Sequence, residues 1–136
     1  MNYAAIPLAA LLSFLFGAFW YGILSKAWLD AIGKTEAEIK AMSAGRVVPV
    51  PFVVAGVAQL IMAFLLAGLI GHLGQGQVTL TNGIISGAFV WAGFVATTVA
   101  TNHGFQGQKI KLTFIDCGHW LGVLLVQGAV IGWMGV

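Results

Sequence analysis

Asp116 and His119 lie three residues apart in the last apolar stretch of the chain, which on a helix puts a carboxylate and an imidazole on one face. Such a pair can bind a proton or an ion, or work as a general base with its orienting acid, because histidine titrates near neutral pH. The preceding apolar stretch closes on Thr97, Thr98, Thr101, Asn102 and His103. The short connection 103–111 makes the two stretches antiparallel neighbours, so Asn102 and His103 are expected beside Asp116 and His119. Trp20 and Tyr21 close the first stretch on the same side. At about 1.5 Å per helical residue, Asp116 sits roughly 7 Å deeper than Lys111.

Three uses of this cluster follow from its chemistry. Asp116 can accept hydrogen bonds from Asn102 or His103 and tie two helices together. The carboxylate and imidazoles can form a proton- or ion-linked step, since ionisable groups inside a membrane mark translocation paths. His103, Asp116 and His119 could also ligate a metal, with Cys117 turned about 100° away from Asp116 as a poor fourth ligand. The tie is the simplest, and neither a metal nor a cofactor is expected. Gln59 and Gln127 fall near the middle of the second and fourth stretches, where an amide must find a partner.

The elements that position these groups are set by composition. The chain has 136 residues, 60% hydrophobic and 7% charged, against roughly a quarter charged in soluble domains. Uncharged runs cover 3–24, 47–73 and 81–102, and a fourth, 112–136, carries only Asp116. Each is long enough for a bilayer, which takes about 20 residues. The expected fold is all-α: one domain, residues 1–136, with four transmembrane helices in an antiparallel bundle. Pro7, Pro49 and Pro51 sit near span starts, where a missing donor costs little. In the first connection, Thr35-Glu36-Ala37-Glu38 has the form of a capping box and fits a short amphipathic helix on the membrane surface, with a solvated turn as the alternative.

All six basic residues lie in connections 25–46 and 103–111. The positive-inside rule therefore places both loops in the cytoplasm and both termini outside. Small residues recur at four-residue spacing: Ala5, Ala9, Ser13 and Gly17 in the first span; Ala55, Gln59, Ala63, Ala67 and Gly71 in the second; Ala88, Ala92, Ala96 and Ala100 in the third. The fourth carries two GxxxG pairs, Gly118 with Gly122 and Gly128 with Gly132. Such stripes let helix backbones approach; packing within one protomer is expected, and homo-oligomerisation is the other use. Gly17-Ala18-Phe19-Trp20-Tyr21-Gly22 echoes Gly87-Ala88-Phe89-Val90-Trp91-Ala92-Gly93, as in two repeated hairpins. Trp28, Trp91, Trp120 and Trp133 read as interface anchors or lipid-facing bulk.

The single cysteine, Cys117, excludes an internal disulfide, and phosphate-binding, zinc-protease and serine-hydrolase motifs are absent. A net charge of +2 in two short loops gives no nucleic-acid footprint. The runs Asn102-His103-Gly104-Phe105-Gln106-Gly107-Gln108-Lys109-Ile110-Lys111-Leu112 and Phe114-Ile115-Asp116-Cys117-Gly118-His119, with Trp20-Tyr21, Lys26-Ala27-Trp28 and Gly33-Lys34-Thr35-Glu36-Ala37-Glu38-Ile39, resemble the bacterial domain-of-unknown-function family 1761. Where that pattern often has a proline after the Trp-Tyr pair, this chain has Gly22-Ile23. The resemblance implies a four-span membrane protein with Asn102, Asp116 and His119 as a shared constellation, and it implies no activity. The expected function is a non-enzymatic inner-membrane protein, either a small-solute or proton-linked transport element or a structural partner, in contact with the lipid bilayer. An embedded enzyme using His119 and Asp116 is the alternative.

Overall fold

The computed structural model of the protein describes residues 1–46 and 49–135. Val47 and Val48, inside the expected second span, and Val136, at the end of the fourth, lie outside the described residues. Every regular element among the described residues is helical. The helices are α1 (Ala5–Ile23), α2 (Ser25–Ile32), α3 (Glu36–Met42), α4 (Val50–Gly71), α5 (Leu80–Val90), α6 (Thr97–Phe105) and α7 (Ile110–Met134). A π-helical segment, Trp91–Ala96, joins α5 to α6. Four helical stretches are long and apolar enough to cross a membrane: α1, α4, the continuous Leu80–Phe105 and α7. The third span is thus longer than the run 81–102, because His103 to Phe105 continue its last turn.

Local chemistry explains the boundaries. Pro49 is the N-cap of α4 and Pro51 lies in its first turn, where the missing N–H would have had no partner. The Thr35 hydroxyl accepts from the Glu38 amide while the Glu38 carboxylate accepts from the Thr35 amide, so the capping box forms at α3. Gly33 stops α2 in the left-handed conformation at φ 69°, which a side chain would resist. The first connection therefore holds two short helices. α2 carries no recognisable cap hydrogen bond at its start and follows α1 after a single residue, which hid it within the sequence pattern.

Helix α7 packs against both α5 and α1, and α4 packs mainly against α1. Lipid tails supply no hydrophobic push between helices, so contact rests on close van der Waals fit. A Cβ on Gly83 would strike the Gly128 carbonyl, one on Gly128 the Gly83 carbonyl, and one on Gly132 the Thr79 carbonyl. A Cβ on Gly87 would come within 2.5 Å of the Leu124 carbonyl oxygen. Glycine on both sides lets the two backbones touch. The alanine stripe of the third span is not that face: Ala92 and Ala100 are exposed, and Ala88 and Ala96 only half-buried. Alanine could not reach so close, and α5 buries Gly83, Ser86 and Gly87 instead.

On the opposite side of α7 the other GxxxG pair receives aromatic rings. The Phe16 ring fills the space over Gly122, and Trp20 Cζ2 lies 2.6 Å from where a Gly118 Cβ would stand. The first-span stripe of Ala5, Ala9, Ser13 and Gly17 is buried throughout, as are Ala63 and Ala67 of α4. Both ends of the chain meet, with the Asn2 amide donating to the Gly135 carbonyl at 3.3 Å.

Gly128→Ala should destabilise the protein by about 1–3 kcal/mol, the usual penalty of overpacking. Gly68→Ala, where a Cβ meets nothing within 4 Å, should be neutral; unfolding in lipid–detergent micelles reads both.

Candidate functional site

The acid at the basic end of α7 is held from two other helices. Asp116 lies in the second turn of α7, and its Oδ1 accepts from the Tyr21 hydroxyl of α1 at 2.7 Å. Its Oδ2 lies 3.5 Å from His103 Nε2 of α6, longer than an ordinary hydrogen bond. His103 Nδ1 is 2.9 Å from the Thr113 hydroxyl, one turn before Asp116. The order Tyr21–Asp116–His103–Thr113 thus links α1, α7 and α6 through one carboxylate. The Asp116 side chain keeps 21% of its exposure, so the group is held without being sealed.

Of the four residues expected together, Asp116 and His103 meet. Asn102 lies exposed near the end of α6, and its side chain does not enter this network. Thr97, Thr98 and Thr101 return their hydroxyl protons to the carbonyls of Gly93, Phe94 and Thr97, an intrahelical solution open to threonine in a span. His119 packs toward α1. Its Nε2 would be 2.7 Å from a Cβ on Gly17, and its ring lies 4.8 Å from Tyr21, 4.6 Å from Trp120 and 6.5 Å from Phe16. The residue is 6% exposed, and its Nδ1 has no hydrogen-bond partner. Only glycine at position 17 leaves room for the imidazole. Among the described residues, no three His, Cys, Asp or Glu side chains converge as a metal-binding group.

A second network lies deeper. Ser13 donates to Gln59 Oε1 at 2.7 Å, and Gln127 Nε2 donates both to the Ser13 hydroxyl and to the Gln59 carbonyl, each at 3.0 Å. Both protons of the Gln127 amide are used, and α1, α4 and α7 are tied at one level. Gln127 Oε1 is left without a partner. All three side chains are at most 2% exposed, which makes these bonds costly to break in a medium that offers no replacement.

Two indoles complete the grip on α7. Trp20 Nε1 donates to the Ile115 carbonyl at 3.0 Å, and Trp91 Nε1 donates to the Cys117 carbonyl at 2.8 Å. The model of the family described as protein of unknown function, DUF1761, matches residues 4–132. The chain belongs to this family. No curated protein and no solved structure matches it. In this DUF1761 member the match covers the four long apolar helices, all but the last two residues of α7, and so contains both polar networks.

The basic end of the DUF1761 chain is covered by α2. Ala31 is buried against Leu112 and Ile115, and Trp28 meets the Tyr21 ring edge-on at 6.0 Å. Asp30, exposed on α2, receives Lys111 Nζ on its carboxylate and Lys109 Nζ on its carbonyl, both at 3.0 Å. The hydrogen bond and charge of Lys111 hold the Asp30 carboxyl below the usual range. Sequence reasoning missed Thr113 and Asp30 as partners and took Ser13 only for a small packing residue. The one usable signal for Ser13 was its place in a stripe facing a glutamine of the neighbouring span.

Tyr21→Phe should cost about 1–2 kcal/mol by removing the hydrogen bond to the Asp116 carboxyl. Asn102→Ala should stay within about 0.5 kcal/mol, as read by unfolding in micelles. Asp30, with its pKa lowered, stabilises α2 docking above the ordinary carboxylate range and loses that contribution as pH falls through the lowered value. A carboxyl-carbon NMR titration should place Asp30 below the usual range in the native chain and return it there in Lys111→Gln.

Proposed function

We propose that this protein is a non-enzymatic multi-pass protein of the bacterial inner membrane, acting as a proton- or ion-linked element with Asp116 as its cation-accepting group. The observation that carries the reading is the site of that acid. It is the acidic side chain of the spans, engaged by Tyr21 and His103 from two other helices, and still partly open at the basic end. Protonation or cation binding there would change contacts of α1, α6 and α7 together, the coupling that a linked step needs. An embedded enzyme would require open space beside His119, and the rings of Phe16, Tyr21 and Trp120 surround that imidazole.

The four spans form an antiparallel bundle in this reading, supported by the meeting of both termini at one end and of the two basic connections at the other. The basic connections face the cytoplasm and the termini face outward, because lysine and arginine are retained on that side. The echo around Trp20 and Trp91, each of which donates to a carbonyl of α7, fits two repeated hairpins. Self-association would use another face than the GxxxG pairs, since Gly118, Gly122, Gly128 and Gly132 all face groups of the same chain.

A structural membrane partner is the second reading, favoured by the buried apolar layer between the two polar networks. Val123 and Leu124 are at most 1% exposed there, and Phe16 closes over Gly122. A proton-linked cycle therefore requires α1 and α7 to part at this level.

Purified protein in liposomes loaded with a pH-sensitive dye tests the choice. Under an imposed potential, the wild type should move protons faster than empty liposomes, and Asp116→Asn should lose that excess. A wild-type rate equal to that of empty liposomes overturns the proton-linked reading in favour of the structural one.

A further inference from the structure

The short helix α2 holds its place by few contacts. Eight residues are too few for a helix to persist by its own hydrogen bonds, and Ala31 is its only buried residue. Around it Ala27, Trp28 and Ile32 pack partly buried against Tyr21, Leu24, Leu112 and Ile115. The remaining attachment is polar and lies outside: Lys109 on the Asp30 carbonyl and Lys111 on the Asp30 carboxylate. Cations at a helix C-terminus also meet the negative end of its dipole, so the two lysines of the third connection act on α2 as a latch.

Those lysines stand where phospholipid headgroups must be. Lys109 is the N-cap of α7, and Lys111 lies in its first turn, at the point where an apolar span leaves the hydrocarbon. Lys26, at the start of α2, is at the same end, and no basic residue lies at the other. An anionic headgroup offers each ammonium an attraction comparable to that of an exposed ion pair, and it is present at high local density in the surface. The Asp30 and Lys111 side chains keep 65% and 48% of their exposure, so the latch is open to this competitor.

We propose that anionic phospholipid headgroups bind Lys109 and Lys111 in competition with Asp30 and thereby loosen α2 from over the Asp116 centre. Trp28 of the helix packs on Tyr21, whose hydroxyl is the partner of Asp116, so its release would free the Tyr21 ring beside the acid. The functional part of this inference rests on Asp116 being the cation-accepting group; the lipid competition itself stands on the latch geometry alone.

Hydrogen exchange of the full chain in nanodiscs, read by mass spectrometry over residues 25–32, separates the two. In phosphatidylcholine the segment should be protected, and in mixed phosphatidylcholine–phosphatidylglycerol it should exchange about two- to five-fold faster, the range expected from losing exposed ion pairs. Asp30→Asn and the double variant Lys109→Gln/Lys111→Gln should exchange fast in both lipids, with residues 120–132 of α7 as protected as in the wild type. Equal or greater protection of α2 in the anionic lipid overturns the proposal, as does a lipid response that survives in the double variant. Exchange is read whether or not protons cross the membrane. An absent proton flux would overturn the reading of Asp116 and leave the lipid competition standing, and the converse holds.

Discussion

The backbone-to-backbone approach of α5 and α7 is the constraint on which the arrangement rests. Lipid cannot drive helices together by burying apolar surface, so cohesion comes from atoms brought to van der Waals distance and from bonds that lipid cannot replace. Gly83, Gly87, Gly128 and Gly132 remove the side chains that would hold the two helices apart. With one side of α7 closed in this way, α1 supplies the other side by laying Phe16 and Trp20 into the spaces over Gly122 and Gly118. Helix α7 becomes the inner helix of the protein, and its polar residues face protein on several sides.

That placement decides the fate of the polar groups. Gln127 reaches Ser13 and Gln59, and Asp116 reaches Tyr21 and His103, so each network joins three helices at its own depth. Between them the α1–α7 seam is apolar and tight, with Val123 fully buried. Two polar atoms on this seam, His119 Nδ1 and Gln127 Oε1, remain unpaired. Each is a local cost in this arrangement.

The third span divides into two regions of different character. Its first half, α5, is bound into α7 through glycine. After the π-helical segment Trp91–Ala96, none of the residues in α6 is buried. A π turn takes up an extra residue and changes the face presented downstream, and Trp91, its first residue, is the one that donates to the Cys117 carbonyl. His103 then returns at the basic end to Asp116. The threonines of α6 satisfy their hydroxyls internally, which frees this half of the span from any need for a polar neighbour.

Much of this was legible in the residues themselves. Apolar runs of this length suit a bilayer crossing, Pro49 and Pro51 suit a helix start, and Thr35 with Glu38 closes a cap through neighbours in the chain; each is a local property of sequence and solvent. The need of Gln59, Gln127 and Asp116 for partners was equally legible, because the cost of an unpaired polar group in lipid does not depend on the fold. Of the partners they take, only His103 was named from the sequence, and there as an alternative to Asn102. Helix rotation and tilt select Ser13, Tyr21 and His103 over Asn102, turn His119 toward Gly17, and put Gly83 and Gly87 rather than the alanine stripe against α7. Those choices arise from steric fit between side chains far apart in the chain, which periodicity along one helix cannot encode.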